Sequence, residues 1–150
     1  MGRTTRFGNT TVPALTPVTD ALLQQPPAAD WLSWRRTLDN HGYSPLDQIT
    51  QDNVGELRMA WVVTMQDGSN QPTPLVHDGV MFLVNPQNVV QALDASTGDV
   101  LWEYRYPVPD DAVSFGATRA IALYEDKVFL ATFDAALVAL DASTGTQVWR

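Results

Sequence analysis

The chain has 150 residues, 45% hydrophobic and 17% charged, the balance of a globular domain rather than a disordered segment. Nine Lys plus Arg against seventeen Asp plus Glu leave a formal charge of −8, which argues against nucleic-acid binding, since no basic face is available to displace counterions from phosphate. The absence of cysteine excludes disulfides, thiolate metal sites and covalent haem attachment, and no stretch approaches the ~20 apolar residues of a membrane-spanning helix.

Residues 1–17 are rich in Thr, Gly, Asn and Pro, carry neither a helical nor a strand period, and lack the apolar core of a signal peptide, so they read as a flexible leader. A short helix is expected next: Thr19 is placed to cap good helix formers as far as Gln25, and Pro26-Pro27 ends it. Asp30-Trp31-Leu32-Ser33-Trp34-Arg35-Arg36 then concentrates aromatics and cations, an arrangement in which Arg35 or Arg36 can stack on Trp31 or Trp34. After turn signals at Gly42 and Pro45, Thr50 is placed to cap a second short helix, and residues 57–64 read as a strand. Residues 18–64 thus form an N-terminal segment with short helices and one strand.

From residue 65 the pattern becomes regular. Residues 73–76, 80–84 and 89–93 alternate in the manner of strands, separated by Asp78-Gly79 and by Asn85-Pro86-Gln87-Asn88, and a fourth strand ends at Trp102. The same plan returns over residues 120–149. Ala92-Leu93-Asp94-Ala95-Ser96-Thr97-Gly98 leading to Trp102 recurs as Ala139-Leu140-Asp141-Ala142-Ser143-Thr144-Gly145 leading to Trp149, with the tryptophans 47 positions apart. A fixed period of this size marks a repeat architecture, and radial repetition of four-stranded antiparallel units is the β-propeller. The fold class is therefore all-β: a partial propeller of two blades over residues 65–150, the second cut at its last strand. Trp102 and Trp149 are expected to pack between blades. Asp94 and Asp141 read as turn acceptors, and Asp110 and Asp111 as solvated loop charges. His41 and His77 sit beside turn residues with no second histidine at metal-ligand spacing, and both read as surface or turn histidines.

The repeated Asp-Ala-Ser-Thr-Gly-x-x-x-Trp, at residues 94–102 and 141–149, resembles the tryptophan docking motif of the eight-bladed quinoprotein alcohol dehydrogenases, which use pyrroloquinoline quinone (PQQ) with calcium. Asp30 to Arg36, Tyr43-Ser44-Pro45-Leu46, residues 49–53 and Leu57-Arg58-Met59-Ala60-Trp61 are similar to the N-terminal segment of the same family. The resemblance implies oxidation of an alcohol in the periplasm and a cofactor held in part by an arginine, which falls on Arg119. On its residues alone, Arg119 also reads as a surface arginine at a strand start. The family's vicinal cysteines fall on Val113 and Ser114, so that disulfide cannot form here, and its cofactor-binding glutamate falls on Gln71, otherwise a polar loop residue. The family's stacking tryptophan, calcium ligands and catalytic aspartate are implied to lie in later blades. No catalytic residue and no metal ligand is therefore expected in this chain, which by itself would be inactive. The resemblance also implies that residues 57–64 are a propeller-closing strand, an outer strand of the final blade, which is missing here. Two blades would leave open edges, to be covered by the missing blades or by self-association. The alternative reading is a non-enzymatic propeller scaffold or interaction fragment, as in the outer-membrane assembly lipoprotein that shares the tryptophan motif.

Overall fold

The computed structural model describes residues 2–7, 12, 14–107, 117 and 119–150. Among the described residues, nine strands build two antiparallel sheets. The first contains β1 (Arg3–Arg6), β2 (Leu75–His77), β3 (Val80–Asn85), β4 (Val89–Asp94) and β5 (Val100–Arg105) in the order β1-β5-β4-β3-β2. The second is the meander β6 (Ala122–Tyr124), β7 (Lys127–Ala131), β8 (Leu137–Asp141) and β9 (Gln147–Trp149). The two sheets are the expected pair of blades.

Their registers repeat. Phe82, Ala92 and Trp102 form one cross-strand row in the first blade, and Phe129, Ala139 and Trp149 form its counterpart in the second. The small alanine between two large rings lets them meet: the Phe82 and Trp102 centroids lie 6.1 Å apart, those of Phe129 and Trp149 5.9 Å. Each last strand pair carries a register shift at the same place, between Ala92 and Leu93 and between Ala139 and Leu140. β4 is buried on both faces along almost all its length, whereas β7 alternates, with Val128 and Leu130 inside. The second blade thus offers one face to the core and the other to solvent.

The blades meet through an indole on a glycine. Gly145 has φ +68, and a Cβ there would lie 2.5 Å from the Trp102 ring, so only glycine permits both the turn and the approach. Trp102 Nε1 donates to the Ala142 carbonyl at 2.9 Å. Asp94 and Asp141 organise the two turns as expected: Asp94 Oδ1 accepts from the Ser96 and Thr97 amides, and Asp141 Oδ1 from the Thr144 amide.

The N-terminal segment departs from expectation in several places. Residues 3–6, read as structureless, form β1 and pair with β5 in the register Arg3 to Arg105 through Arg6 to Trp102. The bare outer edge of β5, not any local period, makes them a strand. The first helix is as expected: α1 (Asp20–Gln24) has Thr19 accepting from the Leu22 amide. The second is not. Gly55 and a short frame reduce it to one 3₁₀ turn, Val54–Glu56, while Asn53 rather than Thr50 bonds the turn, accepting from the Thr50 amide at 2.7 Å. Residues 57–64 form no strand, having no partner ladder among the described residues. Arg35 does stack on Trp34, at 4.7 Å, but Arg36 is buried and donates to the carbonyls of Pro26 and Pro27.

Residues 16–31 act as a strap along the inner edges of both blades. Trp31 and Val76 exchange two backbone hydrogen bonds beside β2, and Val18 and Glu125 exchange two beside β6. On the outer side, Thr4 donates to the Gly145 carbonyl and the Gly2 amide to Gln147 Oε1. The stretch before the first blade therefore touches the second blade at both ends.

Candidate functional site

Gln71 lies in the segment leading into β2, and Arg119 in the segment leading into β6. These are equivalent places in the two blades, where the chain enters the innermost strand. The blade contact brings the two side chains together: Arg119 Nε donates to Gln71 Oε1 at 3.0 Å. Both residues are exposed, and the guanidinium's terminal amino groups have no partner among the described residues. A permanently charged, forked donor facing outward suits a carboxylate. With Gln71 rather than an acidic residue beside it, that charge has no compensating anion in the pair. Val113 and Ser114 lie outside the described residues, as do Asp110 and Asp111.

A second cluster was misread from sequence. His77 is 3% exposed, the last residue of β2, with Nδ1 2.7 Å from Asp30 Oδ2, Nε2 2.6 Å from the Thr16 carbonyl and 3.4 Å from Asp78 Oδ2. Burial opposes its charge, but the hydrogen bonds to Thr16 and Asp30 and the charges of Asp78 and Asp30 outweigh burial and raise its pKa. Asp78 is lowered, chiefly by the Thr16 amide that donates to its Oδ2 at 2.6 Å. The available signal was parity: His77 sits on the same face of β2 as buried Leu75. His41 is an exposed turn residue beside Asp39, as expected.

Trp61 was also missed as a contact residue. Its Nε1 donates to the Ala95 carbonyl at 3.2 Å, and a Cβ on Gly98 would lie 2.6 Å from its ring. It repeats on the first blade what Trp102 does on the second. Trp149 occupies the corresponding place in β9 and remains 41% exposed.

Residues 31–150 match the family described as the glucose/ethanol/alcohol dehydrogenase β-propeller domain, designated PQQ. The chain is 42% identical over 125 residues to the dehydrogenase subunit of the quinone alcohol dehydrogenase of Gluconacetobacter polyoxogenes, covering 80% of this chain and 17% of that protein. It is 43% identical over 113 residues to the 1-butanol dehydrogenase (cytochrome c) of Thauera butanivorans, covering 72% of this chain and 16% of that one. Among solved structures, a quinohemoprotein alcohol dehydrogenase from Pseudomonas putida aligns with a TM-score of 0.79 at 35% identity, over 90% of this chain and 21% of the other. A europium-containing methanol dehydrogenase aligns with a TM-score of 0.75 at 30% identity, over 87% and 24%. The chain thus spans about one sixth of the length of the curated relatives it matches.

Proposed function

We propose that this chain, which belongs to the PQQ-type glucose/ethanol/alcohol dehydrogenase β-propeller family, supplies two blades and one wall of a quinone site to an alcohol-oxidising enzyme. The observation that carries the proposal is the Arg119 to Gln71 hydrogen bond, which joins the two segments that enter the innermost strands. Arg119 binds a carboxylate of the quinone by charge-assisted hydrogen bonds, and the Gln71 amide orients the guanidinium by accepting from Nε. The donor set fits an anionic, carboxylate-bearing ligand. Val113 and Ser114 lack sulfur, so any contact they make with it is by side-chain packing or a hydroxyl rather than a disulfide ring. The bound quinone would accept the carbinol hydrogen of the alcohol as a hydride, one proton with two electrons, which is chemistry that no side chain of this sequence supplies.

Under this reading, residues 65–150 are the blades and residues 18–64 the segment that straps them. Residues 1–17 lead in and contribute β1. Trp102 and Trp61 dock blade to turn. The exposed face of β9 with Trp149 takes either further blades or a second copy of the chain. Calcium ligands and the base that deprotonates the alcohol belong to the further blades, and the assembled enzyme works in the periplasm. Titrating the 150-residue chain with PQQ, with and without calcium, and assaying dye-linked alcohol oxidation tests this. Saturable binding without turnover is expected, with turnover appearing when the remaining propeller of a relative is supplied. Absence of any PQQ binding in both settings would overturn the reading.

A further inference from the structure

We propose that His77 is held as an imidazolium cation, clamps the strap of residues 16–31 to the innermost strand of the first blade, and releases it on losing a proton. The inference is independent of any cofactor. It rests on what faces the two ring nitrogens: Asp30 Oδ2 at 2.7 Å from Nδ1 and the Thr16 carbonyl oxygen at 2.6 Å from Nε2. A carboxylate and a carbonyl only accept hydrogen bonds. A neutral imidazole has one N–H and one lone pair, so one of these contacts would become lone pair against lone pair, in a site that water scarcely reaches. Two protons on the ring satisfy both.

The carboxylates that face the ring place the charge there. Asp30 comes from the strap and Asp78 from the turn after β2, its Oδ2 3.4 Å from Nε2. Asp30 Oδ1 is also approached by the Asp78 amide at 3.4 Å. Although Asp30, His77 and Asp78 bring three ligand-type atoms within 4.8 Å of one another, both ring nitrogens are already engaged as donors, so the cluster offers no imidazole lone pair to a metal ion.

The clamp grips the strap on both sides of α1, through Thr16 before it and Asp30 after it. Trp31, next to Asp30, is hydrogen bonded to Val76, next to His77, and Val18 carries the same strap to Glu125 of the second blade. Gln71 lies four residues before β2 and Arg119 three before β6, so the strap is bonded on or next to the strands that carry the two segments of that pair. Because the folded-state pKa is raised, the clamp is fully present below the unfolded value of about 6.5 and is lost as pH rises through the folded value. Between the two, the population of released strap rises by up to about tenfold per pH unit.

Nitrogen-15 NMR of the His77 ring in the 150-residue chain tests this. Two N–H groups on His77 are expected at neutral pH, with one lost only above the ordinary histidine value of about 6.5. Hydrogen-exchange protection of the Trp31 and Val76 amides, corrected for intrinsic exchange, should fall over the same range. Asp30→Asn should lower the His77 transition, and His77→Gln should abolish the pH dependence of protection. A single N–H on His77 at neutral pH overturns the proposal. So does a His77 titration that leaves Trp31 and Val76 equally protected, and both readings come from the unmutated chain.

Discussion

Arg119 and Gln71, 48 positions apart, meet through one hydrogen bond of 3.0 Å between the segments that enter the two innermost strands. If that guanidinium receives a carboxylate, Arg119→Ala should weaken PQQ binding by roughly tenfold, the low end of what a charge-assisted hydrogen bond contributes because the site is exposed. Arg119→Lys should recover part of the loss, keeping the charge without the fork. Calorimetric titration distinguishes the three proteins, and identical affinities would remove Arg119 from the site.

Three glycines separate backbone strain from packing. Gly79, at φ +78, has open space where a Cβ would go, so Gly79→Ala should cost only the left-handed backbone penalty of about 1–2 kcal/mol. Gly145→Ala adds a collision with the fully buried Trp102 ring and should cost about 2–5 kcal/mol in all. Gly98→Ala should fall between, since its neighbour Trp61 is only half-buried and can move. Urea midpoints of the three variants give the order, and equal losses would mean that the indoles do not hold the blades.

Trp102→Phe keeps most of the apolar volume but leaves the Ala142 carbonyl without its 2.9 Å donor in a buried place. A loss of about 1–3 kcal/mol is expected, larger than for Trp61→Phe, whose bond to Ala95 is longer and wetter. Equilibrium unfolding monitored by circular dichroism measures both.

Burial raises the Tyr104 phenol to about 12, with a smaller contribution from Tyr106. Its hydroxyl donates to Gln147 Oε1 at 2.9 Å across the blades. The neutral phenol's contribution to stability is complete below the ordinary value of about 10 and is lost as pH rises toward 12. Denaturation midpoints should therefore fall over that interval, and Tyr104→Phe should flatten the fall while lowering stability at neutral pH. A variant with the unmutated protein's alkaline profile would exclude Tyr104 as the cause.

Much of this architecture could be read directly. β2 to β9 announce themselves by period-2 alternation and by turn residues whose chemistry is local: Asp94 and Asp141 bond amides two or three positions on. What escaped is non-local. Arg3-Thr4-Thr5-Arg6 has no apolar alternation and becomes a strand only because β5 presents an edge about a hundred residues later. Trp61 lacks a preceding Asp-Ala-Ser-Thr-Gly, so nothing adjacent marks it as a counterpart of Trp102. His77 looked like a turn residue because Asp78-Gly79 follows it, whereas its partners are Thr16 and Asp30. At the candidate site, the resemblance singled out Arg119 and Gln71 separately, and their direct contact emerged only from the way the blades pack.

Removing residues 2–7 should expose the β5 edge and the Tyr104 ring on which Gly2 rests. Lower stability together with concentration-dependent association in sedimentation velocity is expected. A truncated chain as stable and as monodisperse as the intact one would show β1 to be dispensable.

The placing of β1 also orders events during synthesis. Its partner strand ends at Arg105, and its contacts on the second blade, Gly145 and Gln147, are made some 140 residues after Gly2 and Thr4. At about 5–20 residues per second, β1 waits roughly 7–28 seconds after its own synthesis for the last of these partners to emerge. Its short, arginine-flanked and weakly apolar character suits that interval, because a stickier strand would find the wrong edge before the right one existed.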